Sequence, residues 1–336
     1  FHEMVLSQNF SILSKAGCDM PKLLYSLLIL ALTLLPISTW GQGGLLDELE
    51  EEVPCSAQLL AEVSAFQPGV PFEIGVWIEP LPGWHGYWHS PRDGGDPPEA
   101  FWDLPEGWKI SPARFPAPVR MVEPGDLIAY GYKKPFMLLY TATPPAELQE
   151  GQSTIHLSGS VTWQVCKTTC LYGESEISLK LEAASQPVIN QESSKRIRGW
   201  ASSIPLTKTP KGFLVEQEWV PAKEKGSIAG QWVIRWARKG DDRRPAIPVR
   251  WQVFPHSLVA GILDEAKPVR WVPDPSIHKG LAVGNQVTIV VRDVGEGFHS
   301  GLLGATMVPS PGKAKGPVSG FPAFECRGKE ADPEKR

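Results

Sequence analysis

Residues 161–174 read VTWQVCKTTCLYGE, a strand-like run followed by two cysteines that are separated by three residues. Val161, Trp163 and Val165 alternate with polar residues, and this period of two is typical of a strand with one buried face. Residues 153–165 and 175–182 have strand-like patterns on either side of the cysteines, so the stretch predicts two strands and a short turn. Similar short runs recur between dispersed prolines and glycines, a spacing typical of an all-β protein built from β-sandwiches.

The pair Cys166 and Cys170 admits three uses: a structural disulfide, two metal ligands, or a redox pair. In an extended chain their Cα atoms would lie about 13 Å apart, whereas a disulfide needs roughly 4.4–6.8 Å. A bonded pair therefore requires the chain to turn at residues 167–169. A loop of about five residues would stabilise the fold by only about 2 kcal/mol, which is little for a structural bond.

Strand alternation also predicts where the first cysteine lies. Cys166 falls on the face opposite Val161, Trp163 and Val165, and we expect that face to be the wetter one. An accessible thiol beside Lys167 would form a thiolate more readily than a buried thiol.

Length, composition and charge predict two domains. The chain has 336 residues, of which 42% are hydrophobic and 21% charged, as expected of packed globular protein. Residues 42–190 carry 20 acidic and 8 basic side chains, a net charge of −12, and residues 191–336 carry 15 and 23, a net charge of +8. We expect one β-sandwich at 53–190, a linker at 191–204, a second β-sandwich at 205–308 and a loose tail at 309–336. The basic residues are scattered, which argues against nucleic acid as a partner.

The N-terminal region has the pattern of a secretory signal peptide. Lys22 precedes an apolar run at 24–35 that is shorter than the roughly 20 residues needed to span a bilayer. We expect a cleaved signal peptide at 20–41 and an upstream, non-native segment at 1–19, so the mature protein would be extracytoplasmic, where disulfides persist. Cys55 and Cys326 would remain outside the motif, and we expect no bond between them because Cys326 falls in the loose tail.

A second cluster of interest lies in the aromatic stretch GWHGYWHSP. His85 and His89 share the four-residue spacing of the cysteines and could complete a zinc or copper site with them. The prolines and glycines around them favour instead a loop, over residues 82–108, that packs across the cysteine pair without regular structure. Trp84, His85, Tyr87 and Trp88 would then cap the pair, and neither a metal nor a cofactor is expected.

Four motifs together resemble one family. They are PGWHGYWHSPRDGGDPPEAFWDLPEGW (82–108), RFPAPVR (114–120), AYGYKKP (129–135) and VTWQVCKTTCLYGESEISLKL (161–181). The combination is similar to the N-terminal periplasmic region of DsbD-like and ScsB-like thiol:disulfide interchange proteins, and covers about residues 55–185. Two later stretches, VFPHSLVAGILDEAKPVRW and FHSGLLGATM, more weakly resemble the second β-domain of the ScsB type.

The resemblance implies tandem immunoglobulin-like β-sandwiches in the periplasm, with Cys166 and Cys170 as the redox-active pair. It implies a membrane-embedded thiol reductase as electron donor and periplasmic thioredoxin-like or disulfide isomerase proteins as further partners. The chain would be a protein-disulfide reductase component without the membrane domain. Two other functions stay open: a non-catalytic secreted binding module with a structural disulfide, and a metal-binding protein of copper tolerance.

Overall fold

The computed structural model describes residues 54–151, 153–223, 228–238, 250–257, 263, 270–273, 283–292, 303–310 and 323–328. Strands dominate these residues and a single helix interrupts them, which confirms the all-β fold class. The expected upstream segment at 1–19 and signal peptide at 20–41 lie outside the described residues. Within the described ranges, no helix is long and apolar enough to cross a membrane.

The first sandwich consists of two sheets. Its strands are β1 (Cys55–Ala61), β2 (Val63–Phe66), β3 (Phe72–Pro80), β4 (His85–Arg92), β5 (Glu99–Asp103), β6 (Lys109–Ile110), β7 (Val119–Glu123), β8 (Leu127–Tyr132), β9 (Phe136–Thr143), β10 (Thr154–Cys166), β11 (Cys170–Ala183) and β12 (Val188–Ile189). One sheet has the order β1-β3-β9-β6, and the other has the order β12-β2-β11-β10-β4-β8-β7. Strand β5 pairs with β10 beside β4, so β4 and β5 follow one another along the same edge of β10.

The apolar faces of these two sheets enclose the first core. Val161, Trp163 and Val165 of β10 all point into it, as the alternation predicts. Burying several large aromatic side chains removes much apolar surface from water, which is the main force holding the sheets together. The fully or nearly fully buried aromatic residues of this core include Phe66, Phe72, Trp88, Trp108, Tyr130, Tyr132, Phe136, Tyr140 and Trp163.

The second sandwich is built from the remaining strands. They are β13 (Phe213–Pro221), β14 (Ile228–Arg238), β15 (Arg250–Ser257), β16 (Arg270–Pro273), β17 (Val283–Arg292), β18 (Leu303–Ser310) and β19 (Phe324–Arg327). The sheet β13-β14-β17-β16 faces the sheet β15-β18-β19 across a separate core. That core contains Trp232, Trp236, Trp251 and Phe324.

The expected loose tail at 309–336 is wrong for Phe324–Arg327. These residues form β19, which pairs with Gly304–Met307 of β18. Phe324 and Cys326 are buried in the second core, because alternate residues of β19 face the opposite sheet. The apolar residues of this short strand therefore fix it despite the proline- and glycine-rich sequence around it.

A helix, α1 (Gln191–Ala201), separates the two sandwiches in sequence. The Asn190 side chain caps its N-terminus by accepting a hydrogen bond of 3.1 Å from the Ser193 backbone N–H. Ile197 is buried with Leu60, Met137 and Leu139 on the outer face of the first sheet. The helix thus packs firmly against the first sandwich.

The two sandwiches meet through β15 and β4 within one compact unit. Phe254 of β15 joins the first core, where its ring lies 5.1 Å from that of Tyr130 and 6.3 Å from that of Trp88. The His256 ring lies 5.5 Å from Trp88 and 5.2 Å from His89. Trp88 therefore packs in the first core and also anchors the second sandwich.

Candidate functional site

The two cysteines close the end of the longest hairpin in the first sandwich. Strand β10 ends at Cys166 and β11 begins at Cys170, and the two residues are register partners. Their sulfurs are bonded, with Cα atoms 4.1 Å apart. The chain turns at residues 167–169, as a bonded pair requires, and the Lys167 N–H donates a hydrogen bond of 3.0 Å to the Thr169 carbonyl.

The two sulfurs differ in accessibility, and the difference reverses the sequence expectation. Cys166 retains only 4% of its surface, whereas Cys170 is exposed. Alternation correctly places Cys166 on the face opposite the first core, but the prediction that this face is wet is wrong. A second layer of chain covers the face, so Cys170 is the sulfur that solvent and other proteins can reach.

The cover over Cys166 is a small apolar cluster of its own. It consists of Tyr87 from β4, Met121 from β7, Ala129 from β8 and Cys166 itself. Because β4, β8 and β7 are successive neighbours in the sheet that contains β10, residues far apart in sequence meet beside the cysteine on the same face.

The segment that joins β4 to β5 completes the cover. The Asp96 backbone N–H donates a short hydrogen bond to Oε1 of Gln164, which lies two residues before Cys166 on the same face. Gly95 packs so closely that a Cβ atom there would lie 1.8 Å from Gln164 Oε1 and 2.7 Å from the Tyr87 ring. The consecutive glycines in this segment allow the backbone to lie directly on the strand.

A hydrogen-bonded network leads from Cys166 into the sheet. The Tyr87 hydroxyl lies 2.9 Å from Cys166 Sγ and 2.9 Å from Glu123 Oε1, and His85 Nε2 lies 3.0 Å from the same carboxylate oxygen. Burial and the neighbouring Glu123 carboxylate raise the pKa of Tyr87 above its ordinary value. Tyr87 therefore keeps its proton near neutral pH, and its hydroxyl can donate this proton either to the Cys166 sulfur or to the Glu123 carboxylate.

Two of the four expected cap residues come close to the cysteine pair. His85 is the register partner of Cys166, and Tyr87 contacts the sulfur directly. Trp88 points to the opposite face of β4, into the first core, and Trp84 is half-buried against that core. The expectation that residues 82–108 lack regular structure is wrong, because they form β4 and β5, which pair with β10.

Met121 and Glu123 are functional neighbours that the sequence did not reveal. Both lie on β7, which reaches the site only through the pairing of β7 with β8 and of β8 with β4. The alternation of β7 could have indicated that Met121 is inward, but nothing local points to Cys166 as its contact.

The alternative metal site is not assembled. His85 binds Glu123, whereas the His89 ring contacts Phe115 and His256 near the second sandwich. Among the residues that the structure describes, no group of three or more His, Cys, Asp or Glu side chains is arranged to hold a metal ion.

The remaining cysteines of the described chain are free thiols in separate places. Cys55 is buried in the first core and Cys326 in the second. Burial raises the pKa of each thiol to about 12. Neither thiol contributes to the chemistry of the hairpin pair.

Residues 56–182 match the family model of the thiol:disulfide interchange protein DsbD, N-terminal. No curated protein matches the chain. Among solved structures, the N-terminal periplasmic domain of ScsB from Proteus mirabilis is 16% identical, with 82% of this chain and 92% of that chain covered and a TM-score of 0.48.

More distant structural matches are the major pilin subunit BcpA of Bacillus cereus and a sporulation control protein of Bacillus subtilis. The pilin is 8% identical over 76% of this chain and 58% of that chain, with a TM-score of 0.24. The sporulation protein is 7% identical over 82% of this chain and 89% of that chain, with a TM-score of 0.20. Because these TM-scores are low, the assignment of the first sandwich rests on the family match.

Proposed function

Residues 56–182 are a DsbD-like N-terminal region, and on that premise we propose that this protein is a periplasmic thiol–disulfide interchange module whose electrons pass through Cys166 and Cys170. The observation that carries the proposal is the hairpin disulfide with one exposed and one buried sulfur. A disulfide that closes so short a loop stabilises the fold only slightly. The exposed sulfur of Cys170 is open to attack by another thiolate.

The difference in exposure assigns the two sulfurs different roles. A partner thiolate attacks Sγ of Cys170, the Cys166–Cys170 bond breaks, and its electron pair leaves on Cys166. The second partner thiolate then attacks the partner sulfur of the mixed disulfide, and Cys170 leaves as a thiolate. The partner is oxidised to a disulfide and the module gains two electrons, with protons taken from solvent. In the opposite direction, Cys170 attacks a partner disulfide and Cys166 resolves the intermediate.

Tyr87 supports the buried half of the exchange. When Cys166 leaves as a thiolate, the Tyr87 hydroxyl at 2.9 Å can donate a hydrogen bond to it. A hydrogen bond to a charged group is worth about 1.5–3 kcal/mol, which offsets part of the cost of a buried thiolate. His85 and Glu123 hold the hydroxyl in place from the other side.

The cap that we propose consists of β4 and the segment that follows it. His85 and Tyr87 face the pair, and Trp84 and Trp88 hold the same chain against the first core. Such a cap would keep Cys166 out of contact with small thiols while leaving Cys170 open to a partner.

The proposed electron donor is a membrane-embedded thiol reductase, and the proposed acceptors are periplasmic thioredoxin-like or disulfide isomerase proteins. The family match supports exchange with other thiol-redox proteins in general. The exposure of Cys170 supports direct electron transfer between this sulfur and a partner protein.

A redox titration with trapping variants tests the proposal. In glutathione or dithiothreitol buffers, the reduction potential of the pair should lie above about −300 mV. Structural disulfides typically have potentials below this value. Cys166→Ser, which leaves Cys170 free, should accumulate mixed disulfides in periplasmic extract, and Cys170→Ser should accumulate far fewer. Cys55→Ser serves as the matched control. A pair that resists reduction far below −300 mV, with no mixed disulfide in either variant, would instead support a binding module with a structural disulfide.

A further inference from the structure

Three turns converge at the end of the first sandwich that carries the disulfide. The turn between β3 and β4 leads into His85, which pairs with Cys166. The turn between β8 and β9 follows Tyr132, which pairs with Gly86. The third is the hairpin turn at residues 167–169. Sheet pairing alone therefore brings these turns side by side around Cys170.

Two of these three turns, the turn between β8 and β9 and the hairpin turn, carry an island of positive charge in an acidic domain. Lys133 and Lys134 lie on the turn between β8 and β9, and Lys167 lies on the hairpin; all three are exposed. They are three of the 8 basic residues among residues 42–190, which also hold 20 acidic residues. We call Lys133, Lys134 and Lys167 the lysine rim.

Contacts of Lys167 tie the hairpin to the turn between β3 and β4. Its Cε lies 3.2 Å from the position that a Cβ atom would take on Gly83, so the aliphatic stem of the lysine covers this glycine. Lys167 is therefore held across the neighbouring turn next to the disulfide, with its ammonium group exposed.

A groove of about 670 Å³ lies between the turn that joins β3 to β4 and the turn that joins β8 to β9. Pro80, Leu81, Pro82 and Pro135 give it apolar walls, and Lys133 and Lys134 lie at its edge. Glu79 is the acidic residue in its lining, and its carboxylate accepts a hydrogen bond of 3.1 Å from Trp77 Nε1. An apolar groove with a basic edge fits a partner segment that combines apolar contact with carboxylates.

We propose that the lysine rim and this groove form a docking surface for a partner protein whose reactive cysteine lies in an acidic surface segment. The inference rests on the proposed function, since it names the chemistry of the partner that reaches Cys170. Carboxylates beside the partner cysteine would meet the rim as the two sulfurs come together. The remaining surface of the domain, with its net negative charge, would repel the same partner and so favour approach at this end.

The size of the effect follows from long-range electrostatics. A focused field of this kind raises association rates by about 10- to 1000-fold, and it weakens steeply with ionic strength. The charges act over about 8 Å at physiological salt. The Lys167 Cα is about 3.8 Å from that of Cys166, which lies 4.1 Å from the Cys170 Cα, so Lys167 lies within this range of Cys170.

Exchange rates with charged peptides test the docking surface. The probes are three synthetic disulfide-linked peptide dimers that differ only in the four residues flanking the cysteine: glutamate, glutamine or lysine. The reduced protein is mixed with each peptide, and the second-order rate of peptide reduction is measured at low salt and at high salt. At low salt we expect the glutamate peptide to react about tenfold faster than the lysine peptide, and the difference to shrink at high salt.

Variants of the rim supply the matched comparison. Lys133→Glu/Lys134→Glu/Lys167→Glu should reverse the preference, so that the lysine peptide reacts faster than the glutamate peptide at low salt; the readout is the ratio of these two rates, in which a change of intrinsic thiol reactivity cancels. Lys180→Glu changes one exposed charge on β11, ten residues and about 33 Å along the strand from Cys170, and should leave the preference intact.

The outcomes separate the two proposals. If no peptide is reduced and dithiothreitol cannot reduce the pair, the interchange function itself is wrong. If all three peptides react equally at low salt, or the Lys180 variant changes the preference as much as the rim variants do, exchange stands and the lysine rim is not the docking surface.

Discussion

The hydroxyl of Tyr87 lies 2.9 Å from Cys166 Sγ, and it reaches Glu123 Oε1 at the same distance. A hydroxyl has one proton to donate, so the two acceptors compete for it. A disulfide sulfur is a weak acceptor, and we expect Tyr87 to favour Glu123 in the oxidised protein. Reduction makes the Cys166 sulfur a stronger hydrogen-bond acceptor. The redox state of the pair therefore influences which acceptor the Tyr87 hydroxyl binds.

Replacing Tyr87 by phenylalanine should therefore raise the pKa of the Cys166 thiol. Loss of one hydrogen bond to a thiolate, worth about 1.5 kcal/mol, corresponds to about one pKa unit. The measurement is the pH dependence of thiolate absorbance in Cys170→Ser compared with Cys170→Ser/Tyr87→Phe. Tyr140→Phe removes a buried hydroxyl on β9 and should leave the titration unchanged. An unaltered Cys166 titration in the Tyr87 variant would show that the hydroxyl does not act on the sulfur.

The free thiols of Cys55 and Cys326 should be inert in the folded protein. Burial raises the pKa of both to about 12, so the reactive thiolate is scarce near neutral pH. Treatment with iodoacetamide at pH 8, followed by peptide mapping, should find neither residue modified in native protein and both modified after denaturation. Rapid labelling of either thiol in native protein would mean that its sandwich opens readily.

At the scale of the element, the covered hairpin depends on one close approach. Gly95 lies directly on Gln164 of β10, and the contact leaves no room for a Cβ atom. An alanine at this position must push the segment between β4 and β5 away from the strand. The cover over Cys166 would then open more often.

Gly95→Ala should accordingly speed the modification of Cys166. Overpacking costs about 1–3 kcal/mol, so the alkylation rate of Cys166 in a Cys170→Ser background should rise by about 5- to 150-fold. The control is Gly199→Ala, since a Cβ atom on this helical glycine meets nothing within 4 Å. If Gly95→Ala and Gly199→Ala gave equal alkylation rates of Cys166, the segment between β4 and β5 would not be a cover.

At the scale of the whole molecule, the two sandwiches are joined by an aromatic junction. A cavity of about 550 Å³ lies there, and its lining includes His89, Phe115, His256 and Arg327. Burial, followed by the charges of His89 and Arg327, lowers the pKa of His256 from 6.5 to about 3. Burial also lowers the pKa of His89, from 6.5 to about 4, so both histidines contribute in the same pH range, and His256 has the larger shift.

The junction should weaken in acid. His256 stays neutral in the folded protein, whereas in the unfolded chain it takes up a proton near its ordinary pKa. The stabilising contribution is therefore fully present above about pH 6.5 and is lost progressively as the pH falls towards 3. Chemical unfolding followed across this range should show a steeper loss of unfolding free energy for the natural protein than for His256→Phe.

The comparison needs a histidine variant that does not touch the junction. His156→Gln changes an exposed residue of β10 and should retain the pH dependence of the natural protein. Parallel curves for the natural protein and the His256 variant would show that another group governs acid sensitivity.

The sequence by itself determined the β-strands, the turn at 167–169 and the face on which each residue of β10 lies. These features follow from local backbone geometry: side chains alternate along a strand, and five residues can bring two sulfurs together only through a turn. The quoted motifs also pointed to the cysteine pair. All four motifs lie within residues 56–182, the part of the chain that the family model matches.

Only the tertiary structure decided that Cys166 is buried and Cys170 exposed. The cover comes from Tyr87, Met121 and Gly95, which lie about 45 to 80 residues before the hairpin and arrive through pairing between strands. The strand period of β10 tells which face a residue occupies but contains no information about what lies above that face. Likewise, Phe324 and Cys326 are fixed by pairing with β18 and by the opposite sheet, which the surrounding proline- and glycine-rich sequence does not indicate. The accessibility of a sulfur is a property of the packed neighbours, and those neighbours are set by sheet order rather than by local sequence.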